Sequence, residues 1–259
     1  MSADHQTAAA NAAQPAQPSI DPLGVNGLVV GFGDSLTEPA NRAALVFCTA
    51  LDRAGLAGIA EAAPALTSVH IRLDPAFDGH DGLLASLRAM LGGQDWFAAP
   101  LPQDRRLWRV PACFGQGLAP QLEEAAALAG LSPDQAVAAL CAEPLRVQTI
   151  GFAPGQPYLG QLPSAWDLPR QTGLTAQVPE GALAVAIRQM VLFSVPTPTG
   201  WRHVGQSALR LFRPESDRPF LLRPGDAVLF HPVDRAALER LKADPDGGAL
   251  AEPMPGGAG

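Results

Sequence analysis

The chain has 259 residues, of which 47% are hydrophobic and 17% are charged, and its formal net charge is -7. This length predicts two domains, and an acidic chain without a basic face on any predicted element argues against a nucleic-acid partner. No apolar run approaches the roughly 20 residues that cross a bilayer, and no basic, apolar leader opens the chain. We therefore expect a cytoplasmic protein that has no membrane partner.

The first half of the chain predicts alternating strands and helices. Residues 1–22 are rich in Ala, Gln and Pro, a composition that predicts a disordered tail. Apolar runs and helical spacing then predict strands at 27–33, 58–63, 68–73 and 108–112 and helices at 39–54 and 82–91. The order βαββαβ predicts a ferredoxin-like domain over residues 23–112.

The second half is predicted to be mostly β-structure. Two short helical segments, 120–129 and 132–140, come first. They precede short runs separated by Pro/Gly turns, at 147–152, 181–191, 202–205, 208–212, 220–222 and 227–231. This pattern predicts a small β-barrel over residues 113–237, followed by a second tail at 238–259. The predicted fold class is therefore α+β.

Cysteine and lysine usage exclude several chemistries. Cys48, Cys113 and Cys141 are too few and too scattered for a disulfide framework or a metal site, so we expect reduced, structural thiols and no bound metal. The single lysine, Lys242, lies in the predicted tail, so the chain cannot hold a Gly-rich phosphate loop that ends in Lys-Ser/Thr. Arginines and backbone amides must therefore bind any phosphate or other anion.

A Gly-Asp-Ser-Leu motif at residues 33–36 resembles the nucleophile segment of GDSL esterases. A nucleophilic serine needs a base and an orienting carboxylate. The late histidines, His203 and His231, lack the aspartate three residues earlier that supplies both groups in those esterases. We therefore interpret the motif as a turn in which Ser35 or Thr37 caps the next helix, and keep an esterase as a remote alternative.

The segment between Arg146 and Arg170 is the most informative part of the chain. It holds the only tyrosine, Tyr158, within a dense run of prolines and glycines. Glycine permits positive φ and proline fixes φ, so residues 153–157 predict a loop of defined shape. Such a loop is suited to holding a ligand.

Short motifs in and beyond this loop form a longer pattern. They include Gly151-Phe152-x-Pro154-Gly155, Tyr158-Leu159, Pro169-Arg170, Gly200-Trp201-x-x-Val204-Gly205 and Gly225-Asp226. In order and spacing, over about residues 27–234, the pattern resembles the family of allophanate hydrolase subunit 1. That family includes the 5-oxoprolinase B-subunit and the sporulation-kinase inhibitor of bacilli, and its domain is carboxyltransferase subdomain C and D.

The resemblance implies both a fold and partners. Members join a ferredoxin-like N-terminal domain to a cyclophilin-like β-barrel and act with a second polypeptide, the C-subunit. In 5-oxoprolinase a third polypeptide, the A-subunit, completes a complex that hydrolyses 5-oxoproline to glutamate at the expense of ATP. The implied cofactor is thus ATP as a co-substrate, with magnesium, and the implied substrate is 5-oxoproline or a related small amide such as allophanate.

Site roles follow from the chemistry that the resemblance implies. ATP would phosphorylate the oxygen of a poor amide electrophile, which requires positive charge and fixed donors. Arg146, Tyr158 and Arg170 are the candidate catalytic residues, although local ion pairs with Glu143 or Asp167 and packing of the tyrosine are structural alternatives. The candidate substrate- or nucleotide-binding residues are Gly151, Phe152, Pro154, Gly155, Leu159, Pro169, Gly200 and Trp201.

Several positions depart from the family pattern. Leu140, Leu145 and Gln156 replace a histidine, a tyrosine and another aromatic residue, and Gly173-Leu174 replaces a Pro-Arg pair. These changes remove groups that transfer protons and bind anions. A second hypothesis therefore stays open, in which the chain is a non-catalytic regulatory protein that inhibits a histidine kinase.

Overall fold

The computed structural model describes residues 17–254, which form two larger β-sheets, a separate two-stranded β-sheet and five α-helices. The smaller sheet contains strands β1 (Ser19–Pro22), β2 (Gly27–Gly31), β3 (Ile59–Pro64) and β4 (Ser68–Leu73). They are antiparallel in the order β1-β2-β4-β3. Helices α1 (Glu38–Ala54) and α2 (His80–Gly92) share one hydrophobic core with this sheet.

Local signals set the ends of α1. The Thr37 hydroxyl accepts a hydrogen bond from the backbone N–H of Ala40, and Pro39 lies in the first turn. Gly55 ends the helix in the left-handed conformation with φ of 56°. Of the two capping residues that the sequence allowed, Ser35 and Thr37, the helix uses Thr37. The Gly-Asp-Ser-Leu motif lies in the turn before the helix.

The larger sheet closes into a barrel. Seven of its eight strands form the barrel; in chain order they are β5 (Arg106–Cys113), β6 (Leu145–Ile150), β7 (Pro157–Gly160), β9 (Ala182–Ala186), β10 (Gln189–Leu192), β12 (Arg202–Ser207) and β13 (Ala227–Pro232). The order β12-β9-β10-β7-β6-β13-β5 is closed by pairing of β12 with β5. The predicted barrel is therefore confirmed, and it fits the cyclophilin-like type.

Shorter elements complete the barrel region. They are helices α3 (Leu122–Leu128), α4 (Pro133–Leu140) and α5 (Arg235–Leu241), the antiparallel pair of β8 (Thr175–Val178) with β11 (Thr197–Thr199), and β14 (Leu250–Pro253), which pairs with β5 at the edge of the larger sheet. Residues of α3 and α4 pack into the same hydrophobic cluster as the barrel interior.

The predicted βαββαβ order of elements is confirmed, but the assignment of its last strand to the first domain was wrong. The segment around Trp108 pairs with the barrel strands β13, β12 and β14 rather than with the smaller sheet. Alternate side chains, including Val110 and Ala112, enter the barrel core. Strand β1 instead occupies the edge of the smaller sheet beside β2. Periodicity identifies a strand but not the sheet that it joins, so the ferredoxin-like arrangement stays a prediction.

Both predicted tails were wrong in part, since they contain regular structure, and the second one begins within helix α5. Ser19–Pro22 pairs with β2, and Leu250–Pro253 pairs with β5. The tail predictions also cover residues 1–16 and 255–259, which lie outside the described residues.

The predicted strand at 181–191 is a tight hairpin. Strands β9 and β10 are joined at Ile187 and Arg188, whose φ angles are 45° and 59°. Two-residue hairpin turns with positive φ usually contain Asn or Gly, so this sequence carries no turn signal. The predicted strands at 208–212 and 220–222 make only the isolated bridge between Phe212 and Phe220.

No helix within residues 17–254 is long and apolar enough to span a membrane.

Candidate functional site

A cavity of about 220 Å³, here called the Tyr158 pocket, lies on the outer face of the barrel wall. In β7, Leu159 points into the barrel core, and its neighbour Tyr158 packs on the opposite side of the wall against Trp201. The pocket contains five of the residues singled out from the sequence: Phe152, Tyr158, Arg170, Gly200 and Trp201.

The guanidinium of Arg170 is held by an aromatic ring and not by a carboxylate. Its Cζ lies 5.6 Å from the centroid of the Trp201 ring, and Tyr158 meets the same ring edge-on at 6.0 Å. Within residues 17–254, the Arg170 side chain has no ion pair and no hydrogen bond to another residue. An exposed arginine stacked in this way keeps its donors available for an anion.

Two further polar groups face the pocket. Burial raises the pKa of Tyr158, and the Gln156 side chain and the Arg170 charge offset that rise only in part. The phenol therefore stays protonated at neutral pH and can donate a hydrogen bond. Gln156 is 1% exposed, and its Oε1 has no hydrogen-bond partner among the described residues. Such a buried, unpaired amide oxygen can accept a hydrogen bond from a bound molecule.

The loop before Tyr158 has the defined shape that its sequence predicts. Gly155 has φ of 71°, and an added Cβ would lie 3.1 Å from the Leu211 carbonyl oxygen. The backbone N–H of Gly151 donates to the Gln156 carbonyl at 3.0 Å. Phe152, at φ of 70°, is 77% exposed at the rim of the pocket.

Other predicted binding residues shape the site without lining it. Leu159 is buried in the barrel core, and the Pro169 carbonyl accepts a hydrogen bond from Arg202 Nη1 at 2.6 Å. Gly151, Pro154 and Gly155 belong to the loop that precedes β7 and are not among the residues that line the cavity. Their effect on a ligand would come through the position of that loop.

Sequence reasoning missed a glutamine pair behind the pocket. The Gln171 backbone N–H donates to the Gly200 carbonyl at 2.7 Å, and its Nε2 donates to the Trp201 carbonyl at 3.0 Å. Gln121 donates through its Nε2 to Gln171 Oε1 and accepts from the His203 backbone N–H at 2.7 Å. This network fixes the backbone that carries Trp201. Because Gln121 and Gln171 lie far apart in the chain, spacing could not reveal it.

Arg146 lies in a different place from Tyr158 and Arg170. It lines a second cavity, of about 710 Å³, between α1, the end of α4 and β6. Its Nη1 forms an ion pair with Glu38 at 2.9 Å, and its Nη2 donates to Asn41 Oδ1 at 3.0 Å. The local partners considered from the sequence, Glu143 and Asp167, are therefore not the ones that it uses. Arg146 therefore links β6 of the barrel to helix α1, which packs on the smaller sheet.

The environment of Glu38 reflects this ion pair. Partial burial acts to raise the pKa of Glu38, but hydrogen bonds and charge from Arg146 and Arg42 outweigh it, so the pKa lies below its usual value. Arg42 contacts the same carboxylate at 2.8 Å. Glu38 is therefore ionised at neutral pH and holds both arginines.

No group of three or more His, Cys, Asp or Glu side chains converges as a metal site within residues 17–254. Burial raises the pKa of Cys48 to about 12 and that of Cys141 to about 11, which disfavours the reactive thiolate at these two positions.

The architecture occurs within larger enzymes. It matches Kluyveromyces lactis urea amidolyase with a TM-score of 0.66 at 17% identity, over 92% of this chain and 16% of that one. At that identity the match shows the fold alone. The crystal structure of TTHA0988 matches with a TM-score of 0.68 at 33% identity, over 80% of this chain and 40% of that chain. The chain thus spans less than half the length of TTHA0988.

Sequence comparison identifies the family. The model of the carboxyltransferase domain, subdomain C and D, matches residues 18–222, so the chain belongs to that family. It is similar to the 5-oxoprolinase B-subunit of Bacillus subtilis, with 29% identity over 219 residues, 82% of this chain and 91% of that one. It is also similar to the 5-oxoprolinase B-subunit of Escherichia coli O157:H7, with 37% identity over 141 residues, 54% of this chain and 65% of that one. The resemblance inferred from the sequence motifs is confirmed.

Proposed function

We propose that this chain is one component of an ATP-dependent complex that hydrolyses a small cyclic amide, with 5-oxoproline as the first candidate substrate. Two relatives named as the B-subunit of 5-oxoprolinase support this assignment. The match to 40% of TTHA0988 supports cooperation with further protein. The proposed partners are a second polypeptide, corresponding to the C-subunit, and a third, corresponding to the A-subunit, in the cytoplasm where ATP is supplied.

The observation that carries the proposal is the unpaired Arg170 guanidinium beside two polar groups of the Tyr158 pocket. The substrate 5-oxoproline carries a carboxylate and a ring amide. Arg170 would bind the carboxylate, while Tyr158 would donate a hydrogen bond to the amide oxygen and Gln156 Oε1 would accept one from the amide N–H. The cavity of about 220 Å³ is below the roughly 300–1,000 Å³ of sites for drug-sized ligands, which suits one small molecule.

ATP supplies the driving force in this proposal. Transfer of its γ-phosphoryl group to the amide oxygen, with release of ADP, would make the ring carbon a better electrophile for water. Addition of water to that carbon, cleavage of the ring C–N bond and loss of inorganic phosphate would then give glutamate. Magnesium accompanies ATP as part of the co-substrate. The Tyr158 hydroxyl, which would donate to that oxygen, would stabilise the negative charge that the phosphoryl group brings there.

The departures from the family pattern leave polar groups in the Tyr158 pocket, namely those of Arg170, Tyr158 and Gln156. Leu140 and Leu145 are buried in the hydrophobic cluster of the barrel, and neither lines the pocket. Two departures do line it: Gln156 contributes an amide, and Leu174 stands where the family pattern has an arginine, so that Arg170 is the one cation among the lining residues. This placement favours an enzyme component over the alternative of a non-catalytic kinase inhibitor. The remote esterase alternative receives no support, since no hydrogen bond joins Ser35 to a histidine within residues 17–254.

The decisive measurement is 5-oxoproline-dependent ATP hydrolysis by the chain purified with its co-encoded partners, compared with the same mixture lacking the chain. We expect turnover that requires the chain and falls by about tenfold or more in Arg170→Ala, because one charge-assisted hydrogen bond contributes about 1.5–3 kcal/mol. Arg53→Ala, which removes an exposed arginine at the end of α1, is the matched control and should keep full activity. An assembled complex without turnover would overturn the proposal in favour of a regulatory role.

A further inference from the structure

A groove with a volume of about 720 Å³ lies on the barrel, shares no lining residue with the Tyr158 pocket, and is lined by four arginines. Arg106 comes from the start of β5, and Arg213, Arg218 and Arg223 come from the segment before β13. We call it the arginine groove. Sequence patterning did not reveal it, because Arg106 is distant from the others along the chain and the others lie on no regular element.

Two of the four arginines are held in place by the protein. Arg106 forms an ion pair with Asp226 at 2.8 Å and lies 4.8 Å from the centroid of the Trp108 ring. Arg213 forms an ion pair with Asp246 at 2.8 Å. Its Nη2 is nevertheless buried and has no hydrogen-bond partner among the described residues. A buried donor of a charged group without a protein partner is costly, so this nitrogen is available to an acceptor from outside the chain.

The other two arginines leave their charge available. Arg218 and Arg223 are exposed, and neither side chain forms an ion pair or hydrogen bond within residues 17–254. Of the two carboxylates that line the groove, Asp246 is paired with Arg213, which leaves Asp104 as the one opposing charge. The groove is therefore net positive in a chain whose formal net charge is -7.

An aromatic surface borders the same groove. Phe220 is 53% exposed, although large apolar side chains in a folded chain are usually buried. It stacks on Phe212 with a centroid distance of 5.4 Å and an interplanar angle of 26°. The pair holds a flat ring at the groove, where another flat ring can stack on it.

We propose that the arginine groove binds a nucleoside triphosphate. Arg213, Arg218 and Arg223 would bind the phosphate oxygens, since guanidinium groups match phosphate geometry and arginine clusters recognise phosphorylated ligands. The base would stack on Phe220. Nucleotide binding at the groove does not depend on the proposed amide site, since the groove and the Tyr158 pocket share no lining residue.

The test is isothermal titration calorimetry of the purified full chain with ATP, with tripolyphosphate and with adenosine. We expect saturable ATP binding that weakens at higher salt, as phosphate contacts require. The double variant Arg218→Ala with Arg223→Ala should weaken ATP and tripolyphosphate binding by about tenfold or more. Phe220→Ala should weaken ATP binding and leave tripolyphosphate binding unchanged, which separates the nucleoside from the phosphate chain.

A charge-matched control comes from the other half of the chain. Arg53→Ala with Arg88→Ala also removes two exposed, unpaired arginines, and it should bind ATP as the wild type does. The proposal is overturned if the wild type shows no saturable binding, if both double variants behave alike, or if tripolyphosphate binds as tightly as ATP.

Failure of this proposal and failure of the proposed function can be told apart. Arg170→Ala should bind ATP normally, because Arg170 does not line the groove. Groove-dependent ATP binding by a chain whose complex shows no 5-oxoproline turnover would support the groove and overturn the proposed function. Turnover by the complex without ATP binding to the isolated chain would support the proposed function and overturn the assignment of the arginine groove.

Discussion

Arg146 and Arg170 stand at the two ends of the same distinctive segment, yet the structure gives them different surroundings. Arg146 is 15% exposed in its side chain and bonds to Glu38 and Asn41. Arg170 is exposed, lies over Trp201 and forms no ion pair within residues 17–254. Arg146 uses Nη1 and Nη2 within the protein, and its buried Nε has no partner among the described residues. Arg146 therefore serves mainly the fold, whereas Arg170, held by an aromatic face, keeps its donors for a ligand.

The contrast between the two arginines is tested most directly at Arg146. Replacing it with alanine leaves Glu38 without one of its two arginines and Asn41 Oδ1 without its donor. We expect Arg146→Ala to lower the free energy of unfolding by roughly 2–3 kcal/mol, measured by urea denaturation. Arg53→Ala should change it by less than about 0.5 kcal/mol. Equal stability of the two variants would show that Arg146 has no role in the junction.

The Tyr158 pocket should respond in activity and not in stability. Tyr158→Phe removes one hydroxyl and should lower turnover of the assembled complex by about tenfold, with little change in melting temperature. Because burial raises the pKa of Tyr158 above its usual value of 10.0, the loss should be uniform at every pH below 10. A loss confined to alkaline pH would instead indicate that the phenolate is the active form.

The pH dependence of stability tests the structural role of the Arg146 partner Glu38. Its folded-state pKa lies below the usual 4.5, so its ion pairs stabilise the protein above that pH and the contribution is lost as pH falls through the folded-state pKa. Glu38→Gln should therefore be less stable than the wild type by about 1 kcal/mol at neutral pH. The difference should vanish in acid, as measured by denaturant unfolding from neutral to acidic pH. A difference that is independent of pH would exclude the ion pair as its cause.

The smallest effect is expected at the rim of the Tyr158 pocket. Leu174 is 72% exposed there and occupies the position where the family pattern has an arginine. A second cation should strengthen carboxylate binding, so Leu174→Arg should lower KM for the amide substrate by about threefold. Leu128→Arg changes another exposed leucine, on α3, and should leave KM unchanged. Equal values of KM in the two variants would argue against a carboxylate at this rim.

The sequence predicted the barrel well because its strands are short, apolar and separated by turns. The same rules failed at the hairpin of Ile187 and Arg188, where side chains that normally avoid positive φ make the turn without Gly or Asn. They also failed for the strand around Trp108, because alternation cannot show which of two sheets a strand joins.

The candidate site was predictable where one loop carries it and unpredictable where distant segments meet. Tyr158 and Trp201 were selected from their motifs, and the structure places them in contact. The Arg146 partner Glu38 and the support given by Gln121 come from other parts of the chain. No spacing rule links such positions, because tertiary packing brings them together.

The side-chain amide of Asn41 affects how the protein unfolds. This fully buried side chain donates to the Leu66 carbonyl at 2.8 Å and to the Gln148 carbonyl at 3.0 Å, while its oxygen accepts from Arg146. Opening the contact between the smaller sheet and the barrel would strand these groups without partners. The two halves are therefore coupled, and heat should melt them in a single cooperative transition and not one after the other.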